Sequence, residues 1–116
     1  MSKEVKTAAE ARHQEILAMT EAELYDAIEP MAHLYSWQAA HFRPAMTDKG
    51  WRTPVQGDGA GFPDIVLARR GTTLFRELKR TGEQPTPKQQ AWLEAVGGCI
   101  WRPADLESGE IERQLR

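Results

Sequence analysis

The stretch that decides the fold is residues 61–79, which read GFPDIVLARRGTTLFRELK. Two runs rich in apolar and β-branched residues flank Arg70 and Gly71, a pattern that is typical of a β-hairpin. Gly71 can adopt the positive φ that a tight turn needs. A loop of two residues and a loop of four residues give the same strand pairing, and that pairing places Asp64 directly opposite Glu77.

Two carboxylates that face each other across a hairpin repel, so the pairing of Asp64 with Glu77 does not favour stability. A proton, a cationic side chain or a metal ion would relieve the repulsion. Lys79 lies on the same face as Glu77, because side chains alternate along a strand. Paired carboxylates suit Mg²⁺ or Mn²⁺, and a lysine beside them can steady an attacking water or a developing negative charge. The three side chains therefore predict a site for metal-assisted phosphodiester hydrolysis.

The spacing of these residues resembles the signature of the PD-(D/E)xK nucleases. A larger ordered series of motifs resembles the small stand-alone VRR-NUC nucleases, which are common in phages and prophages and are related to Holliday-junction resolvases. The series consists of Gly61-Phe62-Pro63-Asp64, Glu77-Leu78-Lys79, Thr86-Pro87-Lys88-Gln89 with Trp92, and Trp101-Arg102-Pro103 with Asp105. The resemblance covers residues 20–115, and its ordered spacing is more specific than the short acidic motif alone.

The patterns along the chain predict helix, strand, long loop, hairpin, helix, strand and helix. This αβββαβα order gives an α/β fold with a mixed sheet flanked by helices, and it matches the restriction-endonuclease-like core of the PD-(D/E)xK family. We expect residues 1–19 to form an accessory helix or arm and residues 20–116 to form the nuclease-like domain.

The resemblance implies a divalent-metal-dependent endonuclease that hydrolyses DNA and acts on branched structures such as Holliday junctions. Asp64, Glu77 and the backbone carbonyl of Leu78 are the implied ligands of Mg²⁺ or Mn²⁺. Lys79 is the implied partner of the attacking water. Resolvase relatives act as two-fold dimers, so a homodimer is a further expectation.

The helix after Thr20 contributes one more candidate for the site. Thr20 and Glu23 form a capping box, and Glu21 falls on the same stripe as Leu24. The related nucleases carry an acidic residue on this helix that joins the metal site or its water shell. We assign that role to Glu21, with Glu23 as the second choice; alternatively, both are favourable charges at a helix N-terminus. Pro30 is expected to kink or split the helix.

Several basic and aromatic residues are candidates for contact with DNA. The first strand is predicted over residues 36–43, and residues 44–61 are predicted to be a long flexible loop. Trp51 on this loop either stacks on a base or junction or pins the loop. The residues expected to bind nucleic acid are His41, Arg43, Lys49, Arg52, Arg80 and Lys88.

The helix that follows the hairpin carries a glutamine of interest. Thr86 is its predicted N-cap, with Pro87 at the favoured first position, and it ends at Gly97. By resemblance, Gln89 lies next to the active site, where its amide orients the attacking water or Lys79. The alternative interpretation is an exposed glutamine on a helix surface.

Composition sets the remaining limits. The chain has 116 residues, is 41% hydrophobic and 28% charged, and has no apolar run near 18 residues, so we expect one soluble domain with no membrane partner. A single cysteine, Cys99, suits a reducing compartment, and we expect the cytoplasm of a bacterium or of a phage-infected host. The net charge is −2. However, residues 41–80 carry eight Lys or Arg against four Asp or Glu, and a local basic face suits a phosphate backbone.

Two other interpretations remain open. In the first, the fold is the same but the protein is a non-catalytic module that binds DNA structures or serves as a nuclease subunit. In the second, Asp64 and Glu77 face solvent, Lys79 neutralises them and the protein is an interaction module.

Overall fold

The computed structural model describes residues 5–43, 45–52 and 55–116. Within them the elements in chain order are α1 (Ala8–Leu17), α2 (Glu21–Leu34), β1 (Gln38–His41), β2 (Ala45–Thr47), β3 (Gly50–Arg52), β4 (Ile65–Arg69), β5 (Thr72–Leu78), α3 (Pro87–Val96), β6 (Cys99–Trp101), α4 (Pro103–Glu107) and α5 (Glu110–Leu115). They form an α/β fold whose main sheet has four strands in the order β1-β4-β5-β6, with β6 parallel to β5 and the other pairs antiparallel.

The central hairpin has the predicted register. Arg69 pairs with Thr72, and the pairing continues to Ile65 opposite Arg76. Arg70 and Gly71 both have positive φ, of 48° and 81°, which is the combination that a two-residue type I′ turn requires. The parallel strand β6 follows through α3, as the sequence predicted.

One face of the sheet is covered by α2 and α5. Side chains from β4 and β5 pack here against both helices in a single core; its fully buried members include Leu24, Ile28, Ile65, Leu67, Leu78, Ile111 and Leu115. The capping box of Thr20 with Glu23 is formed as predicted. The expected split at Pro30 is wrong, because α2 is one helix through this residue; α2 has the core contacts to outweigh the hydrogen bond that proline removes.

The opposite face of the sheet lies against α3. Phe62 makes edge-to-face contacts with Phe75 and with Trp92 of α3, at centroid distances of 6.0 and 5.1 Å. Alternation fixes which residues share a face, but which helix covers that face depends on contacts that are distant in sequence.

The prediction of a loop without secondary structure over residues 44–61 was also wrong. This segment contains the short hairpin of β2 and β3, in which Met46 pairs with Trp51. Gly50 supplies a φ of 94° at the turn. Two strands of three residues each carry too little alternation to stand out in a sequence pattern.

Helix α1 lies against the first of the C-terminal helices. Gly109, which has a φ of 85°, separates α4 from α5. Helix α1 packs along α4 without burying any residue, and its His13 Nδ1 lies 2.5 Å from Glu107 Oε1. No helix in the described ranges is long and apolar enough to span a lipid bilayer.

Candidate active site

The predicted acidic pair lies at the end of the sheet where β4 begins and β5 ends. The register of the hairpin, continued by one residue, places Asp64 opposite Glu77. The backbone N–H of Leu78 donates a 2.9 Å hydrogen bond to Asp64 Oδ2. Main-chain hydrogen bonds fix the flanks, from Phe42 N to Asp64 O (2.8 Å) and from Lys79 N to Trp101 O (3.1 Å). The sheet therefore holds these residues on a rigid part of the backbone.

Glu77 is enclosed by protein, with 1% of its surface exposed. Its Oε2 atom is buried and has no hydrogen-bond partner. Burial, reinforced by the negative charge of Asp64 close by, raises the pKa of Glu77 to about 8 although Lys79 opposes the shift. The interpretation in which both acids face solvent is therefore wrong for Glu77.

Lys79 is buried between two acidic side chains. Its Nζ atom lies 4.0 Å from Glu77 Oε1 and 3.7 Å from Glu83 Oε1. Glu83 was not among the site residues predicted from the sequence. The signal available was its position four residues after Lys79, a spacing that is uninformative outside a helix.

The structure separates the two glutamates at the start of α2. Glu21 is half-buried and close to Asp64, Lys79 and Glu83; burial is the largest cause that raises the pKa of Glu21 to about 7, followed by the charges of Glu83 and Asp64. Glu23 is exposed and accepts the capping hydrogen bond from Thr20 N. Glu21, the first choice of the sequence analysis, is thus the one that reaches the acidic pair.

A cleft of about 350 Å³ opens beside Asp64. It collects residues from several elements that the sequence analysis had singled out separately. Its lining consists of Glu21, Ala22, His41, Phe42, Arg43, Trp51, Asp64 and Leu78. Glu77 and Lys79 are not among these lining residues. Asp64 therefore lies between the open cleft and the buried side chains of Glu77 and Lys79.

Of the residues expected to bind DNA, His41 and Arg43 line this cleft. The ring of His41 stacks on Tyr25 of α2 at 3.9 Å, and burial lowers the pKa of this imidazole. The lowered pKa favours the neutral ring, which can donate one hydrogen bond but attracts phosphate less than a cation does.

Three of the other expected DNA-binding residues are not among the described residues that line the cleft. Lys49, Arg80 and Lys88 are exposed, and the side chain of Arg52 lies outside the described part of the chain. Their contact with DNA stays a prediction.

The basic excess of residues 41–80 is only partly a surface feature. Arg69 donates to the carbonyl oxygens of Tyr35 and Leu115, and Arg76 is buried, with Gln114 as its hydrogen-bond partner. Both guanidinium groups are used to hold the helical layer on the sheet, so the basic face is smaller than the count suggests.

Gln89 has a structural role that the sequence analysis did not assign. Its Oε1 atom accepts from Thr86 N at 2.9 Å, and its own N–H donates to Thr86 Oγ1 at 3.2 Å, which together form a capping box. The motif was readable as Thr-x-x-Gln. The proposed contact of Gln89 with water or Lys79 stays a prediction.

The donor set is compatible with a hard divalent cation. Among the described residues, no three His, Cys, Asp or Glu side chains form a ready-made metal cluster. Magnesium is commonly held by one or two carboxylates together with water and substrate phosphate rather than by a protein cage. Asp64 and Glu77 fit this requirement, and the buried Oε2 of Glu77 is an unused acceptor. That the Leu78 carbonyl is a further ligand stays a prediction.

Comparison of this chain with protein-family models, with curated proteins and with solved structures found no match.

Proposed function

We propose that this protein is a divalent-metal-dependent nuclease that hydrolyses DNA phosphodiester bonds, with the fold and site of the PD-(D/E)xK nucleases of VRR-NUC type. The observation that carries the proposal is the pairing of half-buried Asp64, which lines an open cleft, with Glu77 and Lys79, which are buried. A buried acid with an unpartnered oxygen next to a second acid lowers stability, and a cation-binding role accounts for it.

Each residue has a distinct part in this proposal. Asp64 and Glu77 hold Mg²⁺ or Mn²⁺, assisted by the Leu78 carbonyl, and Glu21 completes the acidic set or its water shell. The bound cation supplies a Lewis acid that polarises the scissile phosphate and stabilises the leaving oxygen. Lys79 orients the attacking water and helps to remove its proton.

Arg43 and His41, which line the cleft, contact the phosphate backbone.

The test is a cleavage assay on labelled linear duplex, flap and four-way-junction DNA in Mg²⁺, Mn²⁺ or EDTA. Wild type is compared with Asp64→Asn and with Asp58→Asn, a matched change at an exposed aspartate outside the cleft lining. We expect metal-dependent cutting by wild type and by Asp58→Asn and none by Asp64→Asn, with branched DNA as the preferred substrate.

A second readout does not depend on activity. Mn²⁺ should raise the melting temperature of wild type and of Asp58→Asn but not that of Asp64→Asn, because ligand binding to the folded state stabilises it. Binding of DNA without cutting on any substrate would instead favour the non-catalytic module of the same fold.

A further inference from the structure

Two of the residues that line the cleft are large, apolar and exposed. Trp51 is 63% exposed and Phe42 is 42% exposed, and both line the cleft. Met46, which is 62% exposed, pairs with Trp51 across the β2–β3 hairpin. We refer to Phe42, Met46 and Trp51 as the apolar lip. Large apolar side chains gathered at the mouth of a cleft are typical of binding surfaces.

The apolar lip is attached to the fold on one side. Phe42 follows β1, its backbone N–H is bonded to Asp64 O, and its ring meets Phe62 edge-to-face at 5.5 Å. The same main-chain hydrogen bond that places Phe42 also places Asp64, so Phe42 has a fixed position relative to the acidic group.

The composition of the cleft matches the parts of one nucleotide. Its volume of about 350 Å³ lies at the small end of the range for ligand sites, so it can enclose a small group but not a duplex. Phe42 and Trp51 offer aromatic faces for a base, and Arg43 offers a cation for a phosphate. Asp64 and Glu21 are the acidic residues of the lining, and the proposed reaction takes place beside them.

We propose that the apolar lip is a stacking surface for one unpaired nucleobase next to the cleaved phosphate. The identity of the ligand as DNA rests on the proposed function. A base inside a continuous duplex is covered by its neighbours on both faces and cannot stack on Trp51. The substrate class is therefore DNA with a single-stranded segment, such as a flap or an open junction arm, rather than fully paired duplex.

The test measures binding in an Asp64→Asn background, in which cutting is not expected. Fluorescence anisotropy with a labelled single strand, a flap and a fully paired duplex gives three dissociation constants for each variant. We expect Trp51→Ala to weaken binding of the single strand and the flap by about 5- to 100-fold, the range for loss of one stacked aromatic ring, and to leave the duplex unchanged. Trp51→Phe should retain most of the affinity.

Leu34→Ala is the matched control, since Leu34 is an exposed apolar residue at the end of α2 that does not line the cleft. Equal losses on all three DNAs, or no loss, would overturn the stacking role. A dimer in light scattering that Trp51→Ala converts to a monomer would also overturn it and make the apolar lip an interface between copies. Trp51-dependent binding of single strands by a chain that cuts no DNA would keep this inference and remove the nuclease.

Discussion

The carboxyl group of Glu77 is the clearest case in which a single residue carries information about function. Its pKa is raised to about 8 by burial and by Asp64, so the folded state holds the proton more tightly than the unfolded state does. The resulting contribution to stability is present below the ordinary value of 4.5 and is lost as the pH rises towards 8. In the absence of metal, the folded protein should therefore lose stability across this interval.

Glu77→Gln removes the ionisation and keeps the shape. At pH 5 we expect the metal-free variant to melt at about the wild-type temperature. At pH 8 its free energy of unfolding should exceed that of wild type by at least about 1 kcal/mol, which raises the melting temperature by roughly 4 °C for a domain of this size. Thermal melts in EDTA at the two pH values measure this. A variant that is less stable than wild type at pH 8 would show that Lys79 stabilises the ionised form instead.

Lys79→Ala should lower the cleavage rate by about 100-fold or more, because the attacking water loses the group that orients and helps to deprotonate it. Stabilisation by Mn²⁺ should largely survive, since both carboxylates remain. Single-turnover cleavage and melts with Mn²⁺ separate the two effects. Turnover near the wild-type value would contradict the role of Lys79.

Glu83 is a second acidic partner of Lys79, with its Oε1 atom 3.7 Å from the Nζ atom. Glu83→Gln should lower kcat by about 10-fold, because Lys79 loses a charged partner that helps to position its ammonium group. KM should stay unchanged. Glu94→Gln, at an exposed position on α3, is the control. A change in KM alone would indicate that Glu83 acts on DNA binding and not on Lys79.

At the scale of elements, α3 is positioned by a close contact with the segment that precedes Asp64. A Cβ atom on Gly61 would lie 2.8 Å from the carbonyl carbon of Lys88 and 2.9 Å from the backbone nitrogen of Gln89. These are backbone atoms at the N-terminus of α3, so they cannot move aside cheaply. Gly61 also has a φ of 84°. Gly61 thus allows the segment that precedes Asp64 to approach the N-terminus of α3 closely.

Gly61→Ala should lower the free energy of unfolding by about 1–3 kcal/mol more than Gly71→Ala does, because it adds a steric clash to the conformational strain. The control is well matched: Gly71 has a φ of 81°, and a Cβ atom there would meet nothing within 4 Å. Urea denaturation of both variants measures the difference. Equal losses would mean that the contact with α3 relaxes at little expense.

Elements with strong local signals were predictable from the sequence. Thr20 with Glu23 and Thr86 with Pro87 mark helix starts, and Arg70-Gly71 fixes the register that brings Asp64 to Glu77. The features that were missed depend on distant contacts. Neither the burial of Glu77 nor the meeting of Glu83 with Lys79 is written in any local pattern.

At the scale of the molecule, nearly all of the candidate site comes from one short segment. Asp64, Glu77, Lys79 and Glu83 lie within 20 consecutive residues, and β4 and β5 are joined by a two-residue turn. Local pairings of this kind form early in folding, whereas contacts between distant segments form later. Glu21 reaches the site only when α2 packs on the sheet.

Refolding should therefore be slower at pH 9 than at pH 6 in EDTA, because Glu77 enters the interior more readily as a neutral acid. Stopped-flow tryptophan fluorescence measures the rate, and Mn²⁺ should restore it at pH 9. In Glu77→Gln the difference between the two pH values should become smaller, and the part that remains is expected from Glu21, whose pKa burial raises to about 7. If the variant kept the full pH dependence, another group would control the step.

The unpartnered oxygen of Glu77 then has a meaning for how the protein is made. Folding would be coupled to the uptake of a proton or a cation, and the ionic conditions during synthesis would decide which one is enclosed. The step in which Glu77 becomes buried would then also be the step in which the site takes up the cation that the proposed reaction needs.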